Sequence, residues 1–131
     1  MELKNRMIFF GSLWMLLSIL LGAMASHFLE RFLEVPSVES FQIGVQYLTY
    51  QGLGLLFLAG VNYRDQKAKK KIFYCLVLGS VLFSGSIFIL SFQSLLPFSV
   101  SWLGPMTPLG GVLLILGWFY NVIVFFKKDS N

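Results

Sequence analysis

The stretch GPMTPLGG, Gly104 to Gly111, lies inside Ile72–Phe126, a run of 55 residues without a charged side chain. Its reading decides the fold. A helix needs about 20 apolar residues to cross the hydrocarbon core of a bilayer, so a run of this length must fold back once. Pro105 and Pro108 cannot continue a helix from upstream, because each lacks the N–H and disfavours α geometry in the residue before it. Thr107-Pro108 reads as a helix start, with Thr as N-cap and Pro at the first helical position. A phosphate-binding loop would need a lysine after its glycines, and none is near. GPMTPLGG is therefore expected to be a reverse turn capping a last helix, with Gly110 and Gly111 allowing a neighbouring helix to come close.

Outward from that turn, Met7–Ser26 and Ser40–Tyr63 are also free of charge. The spacing predicts four spans, at about residues 7–27, 40–62, 72–96 and 108–126, within one domain of 131 residues. Composition agrees: 56% of residues are hydrophobic and 12% charged, with mean hydropathy +0.75, whereas soluble domains carry about 25% charged residues. The polar residues are too few to cover a soluble globule, and fourteen Phe with few acids exclude disorder. Ala23-Met24-Ala25 imitates the cleavage site of a signal peptide, yet the apolar run before it exceeds the usual core of about 7–15 residues. It is read as span one.

Charge sets the orientation. Lys4 and Arg6 precede span one; Arg64, Lys67, Lys69, Lys70 and Lys71 lie between spans two and three; Lys127 and Lys128 follow span four. That puts nine of the ten Lys and Arg on one side, leaving only Arg31 on the other. Short basic loops stay cytoplasmic, so both termini and the middle loop are expected inside. Net charge +4 spread in this way points to lipid headgroups and a topology anchor at Arg64, Lys67, Lys69, Lys70 and Lys71, and away from nucleic acid. Tyr63 and Tyr74 on the inner side and Trp102 on the outer side are expected to be interfacial anchors.

Between spans one and two, Phe28, Leu29, Phe32 and Leu33 recur at helical spacing opposite His27, Glu30, Arg31 and Glu34. This predicts a short amphipathic extension over residues 28–35, stopped by Pro36, with Ser37 as N-cap of span two.

Polar side chains in lipid must face the bundle interior or find partners. Those present concentrate in the outer half and at mid-depth. They define a candidate pocket opening outward and lined by His27, Gln46, Tyr47, Gln51, Ser84, Ser86 and Thr107. Gly79, Ser80, Gly85, Gly110 and Gly111 are read as packing positions, so Leu at position 84 or 85 is expected to block a helix contact. His27 is the only side chain in this set that titrates near neutral pH. A metal site wants a second His or Cys and a haem site paired histidines, and the outer half holds neither; nucleophilic catalysis wants a base beside the nucleophile, and His27 is the only candidate. No Asp, Glu, Lys or Arg lies within a span, so an exporter built around a membrane-embedded carboxylate lacks its central residue. No catalytic residue, metal or cofactor is expected.

Several stretches together resemble the small membrane proteins of uncharacterised protein family 0382, also called domain of unknown function 423. They are Gly22-Ala23 with His27; Val45, Tyr47 and Leu53; Phe83-Ser84-Gly85-Ser86; Gly104-Pro105-x-Thr107-Pro108-Leu109-Gly110-Gly111; and Gly117-Trp118. The resemblance implies an all-α, four-helix integral membrane protein of bacteria, in the cytoplasmic membrane, with no assigned activity. The chain departs from the family at GAMASH, where GAFGAH is usual, and at Leu48 and Gln51, where Gln and His are common. The expected role is a non-catalytic packing or accessory subunit, its partners being membrane lipids and a larger membrane complex or a homo-oligomer. The alternative is binding or transport of a small or lipid-like ligand through the outward pocket.

Overall fold

The structure is a computed structural model that describes the backbone of residues 1–129 and the side chains of residues 1–127; the side chain of Lys128 lies outside the described residues. Four helices run α1 (Leu3–His27), α2 (Val35–Ala59), α3 (Gln66–Ser91) and α4 (Met106–Asp129). Each is about 36–39 Å long at 1.5 Å per residue, enough to cross a bilayer. By length and apolarity together, α1, α3 and α4 qualify as spans. The equally long α2 carries Gln42, Gln46, Thr49 and Gln51 along its length and does not reach that apolarity. Among the described residues the chain is an all-α, four-helix membrane protein.

Each helix packs on its neighbour in sequence, placing α2 and α3 in the middle and α1 and α4 on the flanks. Flank position explains the exposed apolar faces. Ile8, Phe9, Leu16, Ile19 and Leu20 of α1 and Val112, Ile115, Phe119 and Val122 of α4 all point outward, as side chains in contact with lipid do. The larger buried cluster joins Met7, Trp14, Leu55, Leu58, Ile72, Phe73, Leu76 and Leu114. A smaller one at the other end joins Ala25, Leu29, Leu33, Val38 and Phe41.

The helix contacts are backbone to backbone, made where side chains are smallest. A methyl group added at Gly11 would lie 3.0 Å from the carbonyl oxygen of Gly52, and one at Gly52 would lie 3.1 Å from that of Gly11. One added at Gly110 would overlap the backbone nitrogen of Phe83 and sit 2.8 Å from the carbonyl oxygen of Gly79. Without a hydrophobic drive between helices in lipid, such close approach supplies the packing energy.

The helix ends depart from the expected boundaries for local reasons. Asp65 accepts the backbone N–H of Lys67 at 2.9 Å and starts α3 ahead of the apolar run. That helix stops at Ser91, because Gln93 takes over the loop's backbone: its Oε1 accepts from the Val100 N–H at 2.7 Å and its Nε2 donates to the Phe98 carbonyl at 3.0 Å. Pro36 and Pro108 both sit inside the first turn of their helices, where a missing N–H leaves no bond unmade. Ser37 and Thr107 are consequently helical residues; neither is the N-cap. Residues 28–35 form one tight 3-10 turn at Leu29–Arg31, with Leu29 and Leu33 buried and Phe28 and Phe32 exposed.

Candidate functional site

The seven residues of the expected outward pocket do not form one cluster. Ser86 and Thr107 are brought together, their hydroxyl oxygens 2.6 Å apart across the α3–α4 contact. Ser84 donates to the carbonyl of Gly44 at 2.8 Å and ties α3 to α2. Gln51 is buried, and its Oε1 accepts the indole N–H of Trp118 at 2.8 Å, tying α2 to α4. Gln46 and Tyr47 lie on the exposed face of α2, where Gln46 Nε2 donates to the Tyr50 hydroxyl at 2.5 Å. The ring of Tyr47 leans on Phe83, 4.9 Å between centroids. His27 ends α1, exposed, with no hydrogen-bond partner among the described residues.

Of the expected packing positions, Gly79 and Gly110 meet as described, and Ser80 is buried with its hydroxyl returned to the Leu76 carbonyl at 2.6 Å. Gly111 makes only ordinary contact with the Phe83 ring. Gly85 must be corrected: a methyl group there would meet nothing within 4 Å. Six residues on from Gly79, Gly85 is rotated about 240° around the helix, and Ser84 takes the contact with α2 instead.

The basic end holds a second correction. Arg64, Lys67, Lys70 and Lys71 are exposed, as headgroup ligands should be, but Lys69 is buried. Its ammonium donates to the carbonyls of Ala59 at 3.2 Å and Val61 at 2.9 Å, with the Tyr63 ring 5.3 Å away. The last carbonyls of a helix lack intrahelical donors and carry the negative end of its dipole; Lys69 satisfies both needs for α2. Tyr63 is likewise buried and no interfacial anchor. Its hydroxyl donates to Asn121 Oδ1 on α4, and burial pushes the phenol up to about 12, so it keeps its proton at neutral pH. Tyr74 and Trp102 are exposed, where anchors belong.

Sequence reasoning missed Trp118, Lys69 and the Tyr63–Asn121 pair as inter-element ties. One signal was available for each: an indole N–H, an uncapped helix end and a lone amide, all needing partners in an apolar setting.

Two of the motifs noted in the sequence prove to be the two sides of one contact. Phe83-Ser84-Gly85-Ser86 meets Gly104–Gly111 through the Ser86–Thr107 bond and through Gly110 against the backbone of Phe83. Residues 21–111, which contain both, match the family model described as protein of unknown function (DUF423). The chain belongs to the DUF423 family. Curated relatives agree over nearly the full length. The UPF0382 membrane protein YwdK of Bacillus subtilis is 34% identical over 122 residues, 92% of this chain and 95% of that protein. The UPF0382 membrane protein SH2409 of Staphylococcus haemolyticus is 33% identical over 120 residues, covering 92% and 94%. The UPF0382 inner membrane protein YgdD of Escherichia coli is 30% identical over 116 residues, covering 86% and 82%. No solved structure matches the chain significantly. Within this DUF423 chain, the Phe83–Ser86 and Gly104–Gly111 motifs hold α3 and α4 together. The Ser86–Thr107, Ser84–Gly44 and Gln51–Trp118 bonds each join a different pair of helices.

Proposed function

We propose that this DUF423 protein crosses the bacterial cytoplasmic membrane four times with both ends inside, as a non-catalytic packing or accessory subunit of a larger membrane assembly. The orientation rests on the one-sided distribution of Lys and Arg.

The outward face of α2 carries the subunit reading. Gln46, Tyr47 and Tyr50 are exposed on it, flanked by Ile43, Leu53 and Phe57. Gln46 lies about 16 Å along α2 from Val35, near mid-depth. Its bond to Tyr50 leaves the Gln46 carbonyl oxygen and the Tyr50 O–H proton open. Facing hydrocarbon, an unpaired amide group costs about 1–3 kcal/mol or more. A second protein surface offering a donor and an acceptor removes that cost; lipid tails offer neither. A photo-crosslinking residue at position 46, used in native membranes, is expected to give a protein adduct of fixed stoichiometry. Lipid adducts alone, with a solitary monomer in mild detergent, would overturn the reading.

A second reading, binding of a lipid-like ligand, is favoured by a groove of about 590 Å³ at the outer end. Leu20, Met24, Phe28, Phe32 and Phe92 line it beside the free imidazole of His27. Mass spectrometry of the protein extracted with its native lipids tests it: one retained species, lost on Ala23→Trp, supports the ligand, and its absence refutes it.

A further inference from the structure

At the basic end, a groove of about 550 Å³ runs between α3 and α4, walled by Cys75, Leu116, Phe119 and Ile123 and bordered by Tyr74, Tyr120 and Lys71. Its chemistry changes along its length. The deep part is apolar. The mouth holds the Lys71 ammonium, which has no hydrogen bond or ion pair among the described residues, and the exposed Tyr74 hydroxyl. Arg6 of α1 donates to that hydroxyl at 3.4 Å and brings a second cation to its far side. Among the described residues neither Lys71 nor Arg6 is ion-paired, although Glu2 and Asp65 lie at this end; Asp65 accepts the Lys67 N–H and caps α3.

We propose that this groove is a binding site for one anionic phospholipid, with its headgroup held by Lys71, Arg6 and Tyr74 and an acyl chain laid between α3 and α4. Charge complementarity selects the occupant. A zwitterionic lipid brings its own cationic group beside the phosphate and leaves the two positive charges at the mouth uncompensated, whereas a net-anionic headgroup offers its phosphate oxygens to Lys71 and Arg6 with no competing cation. A partner helix would have to bring its own acid to this level. Basic pockets between membrane helices recognise anionic headgroups in this way. Tyr74 and Tyr120 stand at the height where aromatic rings favour the interface, which sets the headgroup at the bilayer surface and the tail at hydrocarbon depth. The site lies away from the exposed face of α2 and needs only that this end meet a membrane surface, so it stands or falls separately from the subunit reading.

The full-length protein in neutral detergent, titrated with dioleoyl phosphatidylglycerol or dioleoyl phosphatidylcholine and followed by native mass spectrometry, provides the test. Phosphatidylglycerol should be retained preferentially, and Lys71→Gln should weaken that retention about fivefold, the worth of one basic residue near an anionic surface. Arg31→Gln removes the same charge at the opposite end of the helices, outside the groove, and should change nothing. Leu116→Trp fills the apolar part and should reduce retention of both lipids. Lys71→Arg, which keeps the charge, should bind as the natural protein does, separating headgroup loss from misfolding. Equal retention of the two lipids, or equal effects of Arg31→Gln and Lys71→Gln, would overturn the site. So would full competition by glycerophosphoglycerol, which has the headgroup and no tails.

Discussion

The indole of Trp118 reaches from α4 over Gly54 to donate its N–H to Oε1 of Gln51 at 2.8 Å, joining the two helices that flank α3. Gly54 makes the reach possible: a methyl group there would stand 2.6 Å from Cζ2 of the indole. One glycine and one amide thus place a large ring and satisfy its only polar atom.

Gly54→Ala should therefore cost stability by overpacking, about 1–3 kcal/mol, because a rigid ring cannot yield as a flexible side chain would. Gln51→Leu should cost about 0.6–1.7 kcal/mol, the range for hydrogen bonds between membrane helices. Trp118→Phe removes the orphaned N–H, so the double variant Gln51→Leu, Trp118→Phe should lose less than the sum of the two singles. Unfolding midpoints in a fixed detergent measure all four proteins, and strict additivity would show that the bond carries no coupling.

Glycine positions give opposite expectations on one helix contact. Gly110→Ala drives a methyl group into the backbone of Phe83 and the carbonyl of Gly79. Backbone on both sides leaves nothing to rotate away, so α3 and α4 must separate and the protein should fail to accumulate. Gly85→Leu places its side chain in open space and should accumulate normally. Membrane-fraction immunoblots of the two variants decide it; loss of the Gly85→Leu protein would mean that a partner covers that face.

The contrast also marks what the sequence could and could not reveal. Four helices, their order and the chain reversal before the last one follow from runs of apolar residues and from Pro105 and Pro108, since the bilayer leaves the backbone few alternatives. The turn itself lies at residues 92–105, and Met106 to Gly111 of GPMTPLGG already belong to α4. Which face of a helix meets its neighbour is another matter. Apolar side chains suit both lipid and protein, so periodicity in α1 and α4 carries little facial information. Gly79 and Gly85 look alike in the sequence, and only the rotation between them separates a contact from open space. Polar residues suffered in the same way. The sequence groups His27, Gln46, Gln51 and Ser84 as one outer-half cluster; Gln51 lies about 24 Å along α2 from Val35, past mid-depth, and their angular positions send them to different neighbours.

Lys69 tests whether the basic loop is a mere charge cluster. Lys69→Gln strips a charged donor from the Ala59 and Val61 carbonyls, and such bonds contribute about 1.5–3 kcal/mol. Lys70→Gln removes the same charge from an exposed position and should be within about 0.5 kcal/mol of the natural protein. Hydrogen exchange adds a local readout: the amides of Gly60 and Val61, which bond back to Phe57 and Leu58, should lose protection in the Lys69 variant only. Equal behaviour of the two variants would reduce Lys69 to a topology charge.

Orientation is the prediction on which the cytoplasmic reading of the basic end depends. In a Cys75→Ala background, Ser99→Cys places a thiol in the exposed α3–α4 loop, and Lys67→Cys places one at the exposed start of α3. Helices α3 and α4 fold back on each other between these ends, so the two thiols lie on opposite sides of any membrane that α3 spans. Keeping Lys67 on the cytoplasmic side follows from the basic loop around it. A membrane-impermeant maleimide applied to intact cells should label position 99 and spare position 67, with labelling of 67 appearing only after permeabilisation. Arg64, Lys70 and Lys71 remain in the Lys67→Cys protein, so the positive side is diminished by one charge and should keep its place. The reverse labelling pattern would put both termini outside and remove the charge argument for the orientation, while leaving the helix contacts untouched.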